Sequence, residues 1–198
     1  MAKRYDRAYF DRWYRHPRHR IRTRAELLRT VQMTVAVTEW ALGRGLRSVL
    51  DVGCGEGPWQ PLLQRLRPGS RYAGVDPSPY AIARFGRRRN LRLGRFDELG
   101  TLGLDGPFDL VVCADVLHYL DADELRRGLP ALADLVGGVA YVQAYTRSDD
   151  VEGDLGGFHR RSADAYRRLL RGVGLVSVGA GCWAAGAVAR QLPALECA

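Results

Sequence analysis

The sequence has 198 residues, of which 46% are hydrophobic and 26% charged, the balance of an ordinary globular domain. The formal net charge is +8, but residues 1–30 alone hold Lys3 and nine arginines against three acids, a balance of +7. Lysine occurs once among the 30 basic residues. This indicates a coding bias toward arginine and a basic N-terminal segment rather than a basic nucleic-acid-binding domain.

No membrane or secretory segment is expected. No apolar run approaches the ~20 residues that span a bilayer, and the first residues lack the apolar core of a signal peptide. The four cysteines form no Cys-x-x-Cys pair and have no histidine at zinc-ligand spacing. We therefore expect a cytoplasmic protein without disulfides and without a metal site.

The N-terminal stretch combines aromatic and basic residues. Three aromatic residues recur every fourth position of a helix and two more lie on the adjoining strip: Tyr5, Tyr9 and Trp13, with Phe10 and Tyr14. Pro17 ends this helix. The strip predicts a helix docked on the core or a lid over a ligand, with Trp13 and Tyr14 as candidate substrate contacts. The run from Arg15 to Arg22 predicts a solvated loop or an anion-binding segment.

A second helix is expected over 24–45, with Thr23 as its N-cap and Gly45 as its end. The stretch from Ser48 to Trp59 then gives a short apolar strand and a turn with glycine at 53, 55 and 57. Pro58 suits the first turn of a following helix because it lacks an N–H. Strand, glycine turn and helix open a nucleotide-binding βαβ unit.

The spacing of the glycines bears on the ligand. A dinucleotide fingerprint would have its third glycine where the chain has Pro58, so an NAD-dependent oxidoreductase is the weaker interpretation. A plain glycine-rich turn without a ligand is the other alternative.

A second strand is expected from Arg71 to Val75, ending at the carboxylate of Asp76. Asp76 follows Gly53 by 23 residues, close to the ~20 that separate the glycine turn from a ribose-binding acid in such units. A carboxylate there can accept hydrogen bonds from both ribose hydroxyls. The alternative role for Asp76 is to cap the helix expected over 78–88.

Two more strands are expected in the same sheet. A short one over 90–94 precedes Phe96 and Asp97. The next, over 108–113, is almost continuously apolar, as a parallel strand buried on both faces requires. It leads into the sequence Ala114-Asp115-Val-Leu-His-Tyr-Leu.

These stretches together resemble the class I S-adenosylmethionine (SAM) dependent methyltransferases. Residues 51–57 are similar to the first motif of that family, Asp76 to the second and residues 108–120 to the fourth; the resemblance covers roughly residues 45–145. It implies a single α/β domain: Rossmann-like, doubly wound, with a mostly parallel sheet and helices on both faces. Residues 1–45 would form an N-terminal helical segment or lid, and residues 46–198 the SAM-binding part.

The resemblance also implies an enzyme that transfers the methyl group of SAM to an O, N, C or S nucleophile. It assigns cofactor contacts to the glycine turn and to the ends of the strands: Asp51, Gly53, Cys54, Gly55, Trp59, Asp76, Pro77, Phe96, Asp97, Cys113, Ala114 and Asp115. Adenine would stack on Phe96 or donate its amine to Asp97. His118 is a candidate general base, since its ordinary pKa is ~6.5, or else it packs the loop.

The rest of the chain is expected to shape the acceptor site. A helix over 121–135, stopped by Gly137 and Gly138, a strand over 139–145 and a charged loop over 146–161 follow. Parallel sheets bind ligands at the carboxyl ends of their strands, so this loop is a candidate substrate wall, or else a mobile surface loop. Candidate substrate contacts are Tyr119, Glu152 and His159.

A helix over 162–172 and a sixth strand over 175–178 come next, and the short, Ala-rich tail predicts a last strand that is abbreviated or replaced by a helix. A small-molecule acceptor is expected because no nucleic-acid-binding module stands out. RNA or an acidic protein is the alternative partner through the basic N-terminus. A non-catalytic SAM-binding protein is the other alternative, and the oligomeric state is open.

Overall fold

A computed structural model describes residues 5–151 and 154–197. Within those ranges the sheet has seven strands: β1 (Ser48–Val52), β2 (Arg71–Asp76), β3 (Leu91–Leu93), β4 (Phe108–Ala114), β5 (Val136–Gln143), β6 (Leu175–Gly179) and β7 (Cys182–Ala185). The α-helices of these ranges are α1 (Arg7–Phe10), α2 (Arg24–Leu42), α3 (Trp59–Leu66), α4 (Pro79–Arg89), α5 (Ala122–Asp134), α6 (Ala163–Gly172) and α7 (Gly186–Ala189). Helix α1 continues as a π-helical turn over Asp11–Arg15, and 3₁₀ turns span Phe96–Thr101, Leu117–Tyr119 and Ala194–Glu196.

The strand order is β3-β2-β1-β4-β5-β7-β6. Strand β7 pairs antiparallel with both of its neighbours, and the other pairings are parallel. The predicted mostly parallel α/β sheet is thus confirmed, with a last strand of only four residues followed directly by the short helix α7. The order reverses between β1 and β4, where open α/β sheets bind their ligands.

Two helical layers cover the sheet because strand side chains alternate between its faces. In β4, Leu110 and Val112 pack with α2, α3 and α7 on one face. Val111 and Cys113 pack with α5, α6 and the Phe96–Thr101 turn on the other face. No helix in the described residues is long and apolar enough to cross a bilayer.

Two predicted roles of glycines as helix ends are wrong. Helix α2 begins as predicted, with Thr23 accepting the Glu26 N–H, but it ends at Leu42 because Gly43, not Gly45, takes the left-handed conformation with φ of 62°. Gly137 and Gly138 lie inside β5 and do not stop a helix. A Cβ at 138 would stand 2.3 Å from the Asp109 carbonyl oxygen, so the close approach of β4 explains that glycine.

Helix α5 and the Phe96–Thr101 turn also approach closely. A Cβ on Gly128 would stand 2.3 Å from Phe96 Cδ1 and 2.5 Å from the Phe96 carbonyl oxygen, well inside contact distance. Phe96 is buried in the core, so a collision there cannot be relieved by a side chain moving into solvent. The packing of α5 therefore fixes the position of Phe96.

We expect Gly128→Ala to lower the free energy of unfolding by about 1–3 kcal/mol, because overpacking strain outweighs the ~1 kcal/mol by which alanine is favoured over glycine in a helix. Urea denaturation measures this change. Gly172→Ala in α6 is the matched control, since a Cβ there meets nothing within 4 Å; its unfolding free energy should stay equal or rise. A Gly128→Ala variant as stable as the parent would contradict this packing.

Candidate active site

The glycine turn after β1 lies against the end of β2 and the segment after β4. The N–H groups of Gly53 and Cys54 donate to the Val75 carbonyl oxygen at 2.8 and 3.1 Å. Gly53 has a φ of 71°, and a Cβ on it would stand 2.2 Å from Val116 Cγ2. Both the backbone angle and the contact require glycine there, so the segment after β4 packs directly on the turn.

Asp76 joins this turn to helix α4. Its Oδ2 accepts the Gly55 N–H at 2.7 Å and its Oδ1 accepts the Ser78 N–H at 2.9 Å. Ser78, rather than Asp76, is the N-cap of α4. Burial raises the pKa of Asp76, and the two backbone N–H groups oppose that rise. A carboxylate offers about four lone-pair positions, so both oxygens can still accept from a ligand.

Two cavities open at the carboxyl ends of β1, β2 and β4. The smaller has a volume of about 250 Å³ and the larger about 370 Å³. Three residues line both cavities, and we call them the junction: Tyr14, Gly53 and Asp115. The two cavities therefore adjoin at the junction.

The smaller cavity is lined by Asp76, Pro77, Phe96 and Asp97 from the sheet side. Both oxygens of Asp97 are engaged, one with Arg95 at 3.2 Å and the other with Arg127 at 2.8 Å. The Arg127 hydrogen bond is the main reason that the pKa of Asp97 is lowered. The ionised Asp97 is therefore part of a surface charge network at the edge of this cavity.

The larger cavity holds a second buried carboxylate, Asp51. The Tyr72 hydroxyl donates to Asp51 Oδ2 at 2.7 Å. Burial raises the pKa of Asp51 to about 7, and the Tyr72 hydrogen bond opposes this rise.

The wall of the larger cavity has an apolar part formed by Ile21, Leu27, Pro58, Trp59, Pro61 and Leu62. Its charged part is formed by Arg15, Arg22, Arg24, Glu56 and Arg89 in addition to Asp51 and Asp115.

At the junction, Asp115 follows β4 with a φ of 61°, an uncommon conformation for a residue other than glycine. Its N–H donates to the Gln143 carbonyl oxygen at 2.9 Å. Arg22 Nη2 lies 3.6 Å from Asp115 Oδ2 and donates to Gln143 Oε1. Burial raises the pKa of Asp115, and Arg22 opposes that rise. Asp115 Oδ1 is buried and has no hydrogen-bond partner among the described residues.

The N-terminal segment lies over the smaller cavity, which Tyr5, Tyr9, Phe10 and Tyr14 line. Phe10 is 2% exposed, and its ring stacks on Tyr80 with 5.7 Å between centroids. Two polar contacts hold the ends of the segment: the Ser78 hydroxyl donates to the Tyr5 carbonyl oxygen, and Arg15 pairs with Glu56 of the glycine turn.

The structure brings most of the expected cofactor residues to these cavities. Asp51, Cys54, Trp59 and Ala114 line the larger one, Gly55, Asp76, Pro77, Phe96 and Asp97 the smaller one, and Gly53 and Asp115 both. Cys113 is the exception. It is fully buried and packs in the opposite layer with α5 and α6, because successive residues of a strand point to opposite faces.

His118 also lies away from the cavity linings described. It is 1% exposed, and its ring packs against those of Tyr119, Tyr145 and Phe158 at centroid distances of 4.3, 5.4 and 4.9 Å. Its Nδ1 accepts the Tyr145 N–H at 3.3 Å. These contacts favour the alternative role, in which His118 packs the loop after β4.

The candidate substrate residues separate into two groups. Tyr14 lies at the junction, and Tyr119 lines the smaller cavity while its hydroxyl donates to the Asp154 carbonyl oxygen at 2.8 Å. Trp13 and His159 are not among the described lining residues of either cavity; Arg12 stacks over Trp13, and His159 is exposed. Glu152 lies outside the described residues.

Sequence reasoning did not single out Arg22, Gln143 or Arg89. Arg22 was included only as part of the basic run from Arg15 to Arg22. Both of these arginines line the larger cavity. Gln143 ends β5, beside β4, so the rule that located Asp76 at a strand end could have indicated it.

In the described part of the chain, there is no group of three or more His, Cys, Asp or Glu side chains that could hold a metal ion.

Part of the chain is similar to a curated protein. The chain is 32% identical over 111 residues to an uncharacterised protein of Synechococcus sp. (strain ATCC 27144 / PCC 6301 / SAUG 1402/1), a match that covers 51% of this chain and 26% of that protein. The chain therefore spans about a quarter of the length of this curated relative.

Solved methyltransferases share the fold. A SAM-bound amino pentose methyltransferase from Micromonospora echinaspora is 16% identical, with a TM-score of 0.63 over 80% of this chain and 90% of that one. The magnesium protoporphyrin IX methyltransferase from Synechocystis PCC 6803 with bound SAM is 21% identical, with a TM-score of 0.56 over 87% and 84%.

The family itself follows from the sequence match. A family model described as a methyltransferase domain matches residues 10–178, which include the glycine turn, Asp76 and the segment after β4. Since this match extends over most of the sequence, the chain belongs to the methyltransferase domain family.

Proposed function

We propose that this domain binds SAM and transfers its methyl group to a nucleophile on a small molecule. The observation that carries the proposal is the pair of cavities joined at Tyr14, Gly53 and Asp115, with Asp76 in the smaller and Asp51 in the larger. SAM consists of an adenosine part and an amino-acid part that meet at a sulfonium, so a site made of two adjoining cavities suits it. The SAM-bound structures of the similar fold support this assignment.

The smaller cavity suits adenosine. Asp76 keeps lone pairs for the ribose hydroxyls while its backbone partners hold it in place. Phe96 lines this cavity next to Asp97, so its aromatic ring would lie beside adenine. Both oxygens of Asp97 are already paired with arginines, so we favour stacking on Phe96 over an amine contact with Asp97.

The larger cavity suits the amino-acid end. Asp51 is placed to accept from the ammonium group, and Arg24 and Arg89 of the wall would attract the carboxylate. When bound, SAM supplies an electrophilic methyl group, and the protein contributes positioning and exclusion of water. The larger cavity, about 370 Å³ in all, has a size typical of a small-ligand site, and its apolar wall around Trp59 and Leu62 would face the acceptor.

Two of the N-terminal arginines favour a small molecule over RNA as the acceptor. Arg15 is paired with Asp11 and Glu56, and Arg22 with Asp115, so their charges are engaged within the protein and are not displayed for phosphates.

Free cysteines, among them the buried Cys54 and Cys182, suit a reducing compartment such as the cytoplasm.

Asp76→Asn is expected to raise the dissociation constant for SAM at least about tenfold, because hydrogen bonds to a charged acceptor are each worth about 1.5–3 kcal/mol. Isothermal titration calorimetry measures it, and thermal unfolding of the variant checks that the glycine turn still forms. Asp134→Asn, an exposed carboxylate on α5, is the control and should bind like the parent. Parental affinity in Asp76→Asn would contradict the ribose assignment.

SAM affinity is expected to rise as the pH is raised from about 6 to about 8, because burial holds the pKa of Asp51 at about 7. Below that value Asp51 is mostly protonated, and only the ionised form attracts an ammonium group. Binding should therefore release a proton near pH ~6, which calorimetry in buffers of different ionisation enthalpy detects. In Asp51→Asn both the proton release and this part of the pH dependence should vanish. If they persist, Asp51 is not the group that binds the ammonium of SAM.

RNA binding is expected to weaken strongly as the salt concentration rises to ~0.15 M, as non-specific phosphate contacts do. A filter-binding titration against a mixed-sequence RNA at several salt concentrations measures this. Tight binding that survives ~0.15 M salt would contradict the small-molecule assignment and favour RNA as the acceptor.

A further inference from the structure

Asp115 lines both cavities, and its Oδ1 is buried without a hydrogen-bond partner among the described residues. We propose that Oδ1 accepts a hydrogen bond from the methyl acceptor and then takes its proton, so that the acceptor atom is a neutral O–H or N–H group. This inference rests on the proposed methyl transfer and extends it to a catalytic residue and a class of acceptor.

The need for a partner comes from burial. An acceptor without a hydrogen bond in a buried place costs about 1–3 kcal/mol, and more when it is charged. A ligand that donates to Oδ1 would remove this cost. A thiolate or carboxylate acceptor carries negative charge and would be repelled by Oδ1, whereas a hydroxyl or amine offers the missing donor.

The position of Asp115 distinguishes it from the two buried carboxylates, Asp51 and Asp76. Asp76 lines the smaller cavity and Asp51 the larger, but Asp115 lines both. With adenosine in the smaller cavity and the amino-acid end in the larger, the sulfonium lies near the junction. Asp51 is then the carboxylate for the ammonium group, and Asp115 faces the place where the methyl group is transferred.

Arg22 lies beside one carboxylate oxygen of Asp115, and no described residue donates to the other. Arg22 Nη2 lies 3.6 Å from Oδ2 and is itself bonded to Gln143 Oε1, while the Asp115 N–H donates to the Gln143 carbonyl oxygen at 2.9 Å. The Asp115 backbone is thus fixed on β5, and the guanidinium stabilises the ionised carboxylate.

The proposed step balances in atoms and charge. The lone pair of the acceptor oxygen or nitrogen forms the bond to the methyl carbon, and the carbon–sulfur bond breaks with its electron pair going to sulfur. The O–H or N–H proton moves to Asp115 Oδ1, which later releases it to water. The positive charge of the sulfonium and the negative charge of the carboxylate disappear together.

The test needs no knowledge of the natural acceptor. S-adenosylhomocysteine (SAH) binding is measured by calorimetry for the parent, Asp115→Gly and Asp51→Asn. Glycine is chosen because it tolerates the φ of 61° at this position. With SAH saturating, ligand-observed NMR titrations then compare phenol with anisole and aniline with N,N-dimethylaniline, small aromatic probes that suit the apolar wall beside Trp59.

We expect the parent to bind at least one protic probe about tenfold tighter than its methylated counterpart. Asp115→Gly should still bind SAH and, with SAH saturating, should lose this preference for the protic probe. Asp51→Asn should show the reverse, with SAH binding weakened at least about tenfold and the probe preference kept. Where the glycine variant is unstable, Asp115→Asn takes its place, because asparagine tolerates the same backbone conformation. It should reduce the preference for the protic probe over its methylated counterpart at least about threefold.

The inference is overturned if the parent shows no preference in either probe pair, or if the preference survives in the Asp115 variants. It is also overturned if Asp115→Gly weakens SAH binding at least about tenfold, since Oδ1 would then face the cofactor. Failure of the proposed function has a different signature, because in that case the parent protein itself does not bind SAH.

Discussion

The site depends on one buried carboxylate, that of Asp76. It accepts from Gly55 and from Ser78, and so joins the turn after β1 to the start of α4. The Ser78 hydroxyl in turn donates to the Tyr5 carbonyl oxygen, which ties the N-terminal segment to the same point. One side chain thus sets the relative positions of the glycine turn, a helix N-terminus and the cover of the smaller cavity, before any ligand is bound.

Three carboxylates lie along the two cavities, the buried Asp51 and Asp76 and the partly buried Asp115, and desolvation raises the pKa of each of them. Burying a carboxylate destabilises a fold unless it is paired. Groups perturbed in this way cluster at functional sites. Their order along the cavities, with Asp76 at one end, Asp115 at the junction and Asp51 at the other, matches a ligand with hydroxyls at one end and a positive charge in the middle and at the other end.

Periodicity and turn chemistry in the sequence predict the parallel sheet, the glycine turn and the position of Asp76 at the end of the second strand, because these depend on local rules. They leave the role of His118 open between a general base and a packing residue; its burial follows from a 3₁₀ turn in which its ring packs against Phe158. The position of Cys113 depends on which face of β4 it occupies, and a strand buried on both faces has no polar alternation to reveal this. The contact between Arg22 and Asp115 joins residues 93 positions apart in the sequence. Arg22 lies in a loop, where no periodic pattern predicts which residues meet.

A crystal structure of the complex with SAH tests most directly whether the two cavities form one SAM site. We predict that the adenine ring packs on Phe96, that the ribose hydroxyls lie within hydrogen-bond distance of Asp76, and that the sulfur lies at the junction of Tyr14, Gly53 and Asp115. SAH bound elsewhere, or with its adenine in the larger cavity, would contradict this account.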